Sequence, residues 1–200
     1  PARRGRKIYQ AWDFAITENT NSDWTVCATI MQDEYDNLFV LDIFRFRSDD
    51  GNAIVEHMID QYVLWDCDFL GVEDGQIWKS LRSQFEKRCK ERKVYPTTEV
   101  LVPLTDKLVR ANPLKGRMQL GKVHFPEEGK RPWVDILVRE LLVFPNGKHD
   151  DQVDALAWAV RLTLQHAAPA DPTPKTKAPE SWKKKLQRML AGQGGGHMAA

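Results

Sequence analysis

Acidic residues at three places in the sequence stand in a context that suits metal-dependent catalysis. Asp13 lies inside an apolar, aromatic segment, where a charged side chain costs free energy unless it is paired or binds a metal ion. Glu73 directly follows the apolar run 69–72, and ligand sites in α/β sheets favour the carboxyl ends of such strands. The third place begins a predicted helix and contains Asp150, Asp151 and Asp154.

Each acid also has a simpler structural explanation. Asp13 could pair with a neighbouring cation, Glu73 could belong to a turn, and Asp150 could cap the helix that follows. Taken together, the three places favour one common site, because converging carboxylates hold hard cations through oxygen ligands. Oxygen ligands favour Mg²⁺ or Mn²⁺ over zinc, and two such ions about 4 Å apart can activate water and stabilise the leaving oxygen of a phosphodiester. His149 could contact that leaving group, although surface histidines at helix starts are common.

The elements that must position these acids alternate between strand and helix. Segments 24–31 and 38–47 flank a turn-rich stretch and predict a hairpin. Apolar spacing of three and four residues predicts helices elsewhere. Further strands are predicted at 8–16, 69–72 and 100–102, and helices at 52–65, 77–92, 134–142 and 153–164. Three strands followed by alternating helices and strands favour an α/β fold with a mixed sheet.

The net charge of +1 conceals a strong asymmetry along the 200 residues. Residues 1–78 carry 6 Lys and Arg against 15 Asp and Glu, whereas residues 79–131 carry 14 against 6. Carboxylates for cations and basic side chains for phosphates are what a metal-dependent nuclease needs, although solvated surfaces are charged as well. The candidate phosphate-binding residues are Lys107, Arg110, Lys115, Arg117 and Lys122.

Several classes of protein fit the sequence poorly. No apolar run approaches the ~20 residues of a membrane helix, and no apolar stretch follows the basic N-terminus as it would in a secretory signal. The three cysteines are widely spaced and match neither a zinc site nor a disulfide framework. Residues 169–200 are rich in Pro, Lys and Gly and predict a flexible tail, which leaves residues 1–168 as the folded domain.

The order of these motifs resembles the C-terminal nuclease domain of the large terminase subunit of tailed bacteriophages. The resemblance covers about residues 8–164, and its most specific part is the sequence HDDQVDALA within segment 144–157. The supporting segments are Ala11–Ala15 (AWDFA), Gly71–Asp74 (GVED), Leu104–Ala111 (LTDKLVRA) and Gly121–Pro126 (GKVHFP).

The resemblance implies an RNase H-like fold, with a mixed sheet flanked by helices, that cuts double-stranded viral concatemers during genome packaging. It places the catalytic acids at Asp13, Glu73 and Asp151, with Asp150 and Asp154 as alternates for the third metal ligand, and it implies Mg²⁺ or Mn²⁺, in two ions. It puts the basic segment that contains Lys107 near the DNA.

The implied partners are double-stranded DNA, the terminase small subunit, the portal protein and an ATPase domain of the same polypeptide, all in the host cell cytoplasm without a membrane. The sequence contains no Gly-x-x-x-x-Gly-Lys-Ser/Thr phosphate loop, so it is expected to be the nuclease part alone. Two other functions stay open: a Holliday-junction resolvase or integrase-like nuclease, and a non-catalytic DNA-binding or assembly module.

Overall fold

The computed structural model describes residues 5–15, 24–103, 106–127, 129–147 and 149–166. The predicted tail lies outside these residues. The described part forms six strands and five helices. The strands are β1 (Lys7–Asp13), β2 (Thr25–Gln32), β3 (Leu38–Phe46), β4 (Phe69–Glu73), β5 (Thr98–Leu101) and β6 (Val123–His124). The helices are α1 (Gly51–Trp65), α2 (Gln76–Arg92), α3 (Lys107–Gln119), α4 (Pro132–Val143) and α5 (Asp151–Gln165). None of these helices has the length and hydropathy needed to cross a bilayer.

The strands form one mixed sheet in the order β5-β4-β1-β2-β3-β6. β1, β2 and β3 are successive antiparallel neighbours, whereas β4 lies parallel to β1, β5 parallel to β4, and β6 parallel to β3. The central position of β1 follows from its sequence, since five successive residues from Ile8 to Trp12 are buried. The α/β mixed sheet predicted from the sequence is therefore confirmed.

Helices cover both faces of the sheet. On one face, α1 and α2 bury an apolar cluster that includes Trp12, Met58 and Trp78. On the other face, α5 packs across β1 and β2, and α3 and α4 add Leu114 and Leu137 to its core. Nearly every residue of α5 is buried, which makes it the central helix of the fold.

Most predicted elements are present, including the β2–β3 hairpin, and the main difference concerns α3. The sequence analysis assigns no helix to residues 107–119, because Pro113 and Gly116 interrupt the helical pattern. The structure forms the helix because the Asp106 side chain accepts a hydrogen bond from the Val109 backbone N–H, and because α3 packs against α5. The short strand β6 was also not predicted, and β1 ends at Asp13 rather than at residue 16.

A close approach between sheet and helix occurs at Gly71 in β4. A Cβ atom at this position would stand 2.7 Å from Leu101 Cδ1 and 3.1 Å from Leu162 Cδ2 of α5. The absence of a side chain therefore lets α5 lie directly on β4, two residues before Glu73.

We expect Gly71→Ala to lower the free energy of unfolding by about 1–3 kcal/mol, because the added methyl group overpacks this contact. Gly116→Ala is the matched control: nothing lies within 4 Å of its Cβ position in α3, so it should stabilise the protein by about 0.5–1 kcal/mol. Urea unfolding of the three proteins measures both effects, and equal stability of Gly71→Ala and the wild type would contradict the close approach.

Candidate active site at the end of the central strands

Two of the predicted acids stand side by side where the central strands end. Asp13 is the last residue of β1 and Glu73 the last of β4. The parallel register pairs Trp12 with Val72, so Asp13 and Glu73 follow as neighbours on adjacent strands. Their carboxyl groups share a hydrogen bond. The sheet thus brings together two side chains that are 60 positions apart in the sequence.

The start of α5 brings the third acidic group to the same place. Asp151 and Asp154 belong to the first turn of α5 and are almost completely buried. Asp151 Oδ2 accepts a hydrogen bond of 3.0 Å from the backbone N–H of Trp24. One further turn along the helix, Trp158 Nε1 donates a hydrogen bond of 3.2 Å to Glu73 Oε2. Hydrogen bonds from two tryptophans therefore orient one acid on the helix and one on the sheet.

The crowding of acids perturbs Asp13 most strongly. Burial raises the pKa of Asp13 well above its ordinary value, and the charges of Glu73, Asp154 and Asp151 raise it further. The hydrogen bond with Glu73 acts in the same direction, because it favours a proton on Asp13. Without a cation nearby, these effects favour the protonated form of Asp13.

A lysine and an arginine from α3 neutralise Asp150 and Asp154. Lys107 Nζ lies 2.9 Å from Asp150 Oδ1 and 2.8 Å from Asp154 Oδ2. Arg110 Nη2 lies 3.5 Å from the other oxygen of Asp154, and its guanidinium stands 4.9 Å from the Trp158 ring centroid. Burial alone would lower the pKa of Lys107, but its hydrogen bonds to Asp154 and Asp150 raise it.

The donor set fits a divalent metal ion, although no group of three or more His, Cys, Asp or Glu side chains in the described ranges is close enough to enclose one. Asp13 and Glu73 offer carboxylate oxygens beside a cavity of about 90 Å³. The protonation that burial forces on Asp13 is what a nearby cation would remove. Asp154 and Asp151 both lie within electrostatic range of Asp13, with the larger effect from Asp154, but Asp150 and Asp154 have Lys107 on their oxygens.

The five cations predicted to contact DNA do not form one patch. Lys107 and Arg110 contact the site acids, as described above. Arg117 Nη1 lies 2.7 Å from Asp36 Oδ1, and Lys122 Nζ donates to the carbonyl of Tyr35, so both reach the β2–β3 turn. Lys115 lies beside an apolar cavity between α3 and the end of α4. DNA contact by these five residues stays a prediction.

Sequence reasoning missed Trp24 and Trp158 as parts of the site. Trp158 lies one turn beyond Asp154 on the buried face of α5, which is a signal that the sequence contained. Trp24 acts through its backbone N–H, so its residue type carried no signal. His149 lies beside a cavity bounded by Trp24 and α4, and its buried Nδ1 has no hydrogen-bond partner in the described part of the chain.

Known structures share this fold at low sequence identity. The human cytomegalovirus terminase nuclease domain is similar with a TM-score of 0.58 and 15% identity, over 80% of this chain and 85% of that one. The large terminase nuclease from the thermophilic phage G20c is similar with a TM-score of 0.56 and 15% identity, over 80% and 83% of the two chains. The Thermus thermophilus RuvC structure is similar with a TM-score of 0.50 and 13% identity, over 80% of this chain and 95% of that one. No curated protein sequence matches the chain.

These likenesses define the class of fold: it is RNase H-like, as the sequence predicted. The sequence itself matches the model of the terminase RNaseH-like domain over residues 10–162, which covers the sheet, all five helices and the acids described above. The chain belongs to the terminase RNaseH-like domain family.

We expect Asp13→Asn to raise the melting temperature of the metal-free protein at pH 8 by about 2–4 °C. In a protein of this size, such a shift corresponds to an increase of ~1 kcal/mol in the free energy of unfolding. The raised pKa of Asp13 means that the folded state binds this proton more tightly than the unfolded state, so the charge opposes folding above the ordinary carboxyl pKa. The gain should shrink as the pH falls below the raised pKa towards the ordinary carboxyl range. Asp74→Asn is the control, since Asp74 pairs with Lys79 at 3.3 Å. Thermal unfolding in EDTA measures both, and a loss of stability in Asp13→Asn at pH 8 would contradict the repulsion.

We expect Arg110→Met to lower the free energy of unfolding by about 2 kcal/mol. This is less than the cost of fully breaking a buried ion pair, because Lys107 still pairs with Asp154. The loss should shrink in an Asp154→Asn background, and a double-mutant cycle measures that coupling. Lys115→Met on the same helix is the control and should change stability by less than about 0.5 kcal/mol. A coupling energy near zero would show that the pair does not stabilise the fold.

Proposed function

We propose that the chain is a divalent-metal-dependent endonuclease that hydrolyses phosphodiester bonds of double-stranded DNA. The observation that supports this best is the hydrogen-bonded carboxyl pair Asp13–Glu73 at the strand ends, with Asp151 near it on α5. A purely structural acid pair would be expected to carry a buried cation of its own. Here the α3 cations contact Asp150 and Asp154 instead.

The metal is Mg²⁺ or Mn²⁺, held as two ions by Asp13, Glu73 and Asp151. Among the similar structures, the phage G20c nuclease has been solved with bound magnesium, and a mutant Sf6 nuclease domain with manganese and beta-thujaplicinol. When bound, such ions supply Lewis acidity for the attacking water and for the leaving oxygen. Asp150 and Asp154 are the alternates, and displacing Lys107 would free their oxygens.

The residues around the acids act by holding them in position. The Trp158 indole N–H fixes one oxygen of Glu73, and the Trp24 backbone N–H fixes one oxygen of Asp151. Lys107 and Arg110 hold Asp154 in place and lower the negative charge that the DNA backbone meets at the site. This division leaves Asp13, whose pKa is raised by burial and by the neighbouring charges, as an acid that a bound cation would relieve.

The biological setting that we propose is the cutting of concatemeric viral DNA during genome packaging in the host cell cytoplasm. The small terminase subunit, the portal protein and an ATPase domain of the same polypeptide are the proposed partners. The family match supports this setting over a junction resolvase, since the fold alone is shared with RuvC.

The decisive experiment is digestion of a supercoiled plasmid with Mg²⁺, with Mn²⁺ and with EDTA. We expect nicked and linear products with either ion and none with EDTA. Asp13→Asn and Glu73→Gln should each lower the rate by at least a hundredfold while the protein stays folded, because each removes a metal-ligating charge. Asp60→Asn, on α1 and paired with Arg92 at 2.7 Å, is the control and should cleave at nearly the wild-type rate.

Two other outcomes would redirect the proposal. A four-way junction cut much faster than linear duplex would favour a resolvase. Intact DNA binding without cleavage under any metal condition would favour a non-catalytic DNA-binding module, whose acids are structural.

A further inference from the structure

The cations that the sequence assigned to DNA are largely occupied within the protein. Lys107 and Arg110 contact carboxylates of the site, and Arg117 and Lys122 contact the β2–β3 turn. A duplex that reaches the acids needs basic side chains with uncommitted donors close to them. Such side chains lie on the opposite flank of Asp151, away from α3.

A cleft of about 330 Å³ adjoins Asp151 on this second flank. Its lining residues come from β3, from α4, from the segment before α5 and from the start of β2. They are Trp24, Arg45, Ile136, Arg139, Glu140, Val143 and His149. We call this space the Arg45 cleft. Trp24 connects it to the site, because the backbone N–H of Trp24 holds the Asp151 carboxylate.

The strand register places Arg45 in line with the acids. Asp13 pairs with Val26 across β1 and β2, and Val26 pairs with Arg45 across β2 and β3. Residues directly opposite each other on neighbouring strands point to the same face of a sheet. Val26 belongs to the core beneath α5, so Arg45 emerges on the α5 side, as Asp13 does. At ~4.8 Å per strand, the two backbones are about 10 Å apart.

The two arginines of the cleft have donors available for a ligand. The Arg45 guanidinium lies 4.6 Å from the Trp24 ring centroid, a contact that orients the group and leaves its N–H edge free to donate. Arg139 is exposed on α4. Neither guanidinium donates a hydrogen bond to any residue in the described part of the chain. His149 adds a ring whose buried Nδ1 also has no partner there.

The carboxylate in the cleft is committed to the protein. Glu140 accepts hydrogen bonds from the Gln152 backbone N–H at 3.2 Å and from the Gln152 side chain at 2.5 Å. Glu140 is also within electrostatic range of Arg45. These bonds hold the Glu140 carboxylate against Gln152 of α5. A bound anion would therefore supply the acceptor for the arginine donors of the cleft.

We propose that the Arg45 cleft binds a backbone phosphate of double-stranded DNA beside the bond that is cut, with Arg45 and Arg139 as its donors. This inference rests on the proposed function for its ligand. Arginine binds phosphate through paired N–H donors, and a stacked guanidinium is already oriented for such a contact. Contacts to phosphate position the duplex without reading its sequence. The two arginines of the cleft would therefore attract the DNA backbone to the site, although the cations next to the acids are already paired.

Duplex binding in EDTA tests the cleft separately from cleavage. We propose fluorescence anisotropy with a labelled 30-base-pair duplex, measured from 50 to 300 mM NaCl. Arg45→Gln/Arg139→Gln should weaken binding about tenfold or more at 100 mM NaCl. It should also flatten the plot of log affinity against log salt by about 0.9 for each phosphate contact that is lost.

Three double substitutions serve as controls for charge and for position. Arg82→Gln/Lys87→Gln removes two exposed charges from α2, on the other face of the sheet, and should leave the salt slope within about 0.5 of the wild type. Lys115→Gln/Lys122→Gln tests the α3 side. Arg45→Lys/Arg139→Lys keeps both charges and should recover most of the slope, which separates phosphate contact from an effect on folding. Melting temperatures verify that each variant is folded.

The outcomes separate this inference from the proposed function. An unchanged affinity and slope in the folded Arg45→Gln/Arg139→Gln variant would overturn the cleft, whether or not the wild type cleaves DNA. A flattened slope in the Lys115→Gln/Lys122→Gln variant alone would overturn it too and would place the duplex along α3. A slope that depends on the cleft, in a protein that cuts nothing with Mg²⁺ or Mn²⁺, would support the cleft and reject the nuclease.

Discussion

Four carboxylates meet at one end of the central sheet, and the structure around them is arranged to tolerate their repulsion. Asp151 and Asp154 are buried, and Asp13 and Glu73 are half-buried. Asp13 and Glu73 share a hydrogen bond between their carboxyl groups, and this bond, with burial and the neighbouring charges, raises the pKa of Asp13. Asp154 is compensated differently, by ion pairs from Lys107 and Arg110. The two solutions have different consequences. Breaking a buried ion pair destabilises the fold, whereas the protonation that is favoured at Asp13 is one that a metal ion would remove.

The sheet and most helices could be predicted because the sequence patterns that specify them are local. Two apolar runs around a turn predict the hairpin, and apolar residues spaced three and four positions apart predict α5. Helix α3 could not be predicted in this way, since Pro113 removes one hydrogen-bond donor and Gly116 lowers helix propensity. The Asp106 cap and packing against α5 outweigh both. The packing contribution depends on tertiary contacts, which a reading of local propensity does not include.

The candidate site shows the same limit in its electrostatics. The sequence placed Glu73 at a strand end but Asp13 inside a strand that continued to residue 16. That β1 and β4 are parallel neighbours which both end at an acid is shown by the structure, because strand pairing depends on tertiary contacts. The partners of Lys107 and Arg110 depend on how α3 lies against α5, so a basic run in the sequence could not reveal that these side chains neutralise acids. Charge along the chain predicts which residues attract phosphate only when their donors are not already used within the fold.

The two flanks of Asp151 therefore have different roles, and the difference follows from geometry. On the α3 flank, Lys107 and Arg110 lie within 3.5 Å of carboxylate oxygens of Asp150 and Asp154. The positive charge of these two side chains is therefore largely neutralised within the protein and attracts a ligand only weakly. On the β3 flank, Arg45 lies against the Trp24 ring and makes no ion pair within the described residues, although the Glu140 carboxylate is within electrostatic range. A polyanion approaching the acids meets a neutralised surface on one side and an attractive one on the other. The row of residues from Glu73 through Asp13 to Arg45 thus places the candidate active site and the proposed phosphate contact at the same end of the sheet.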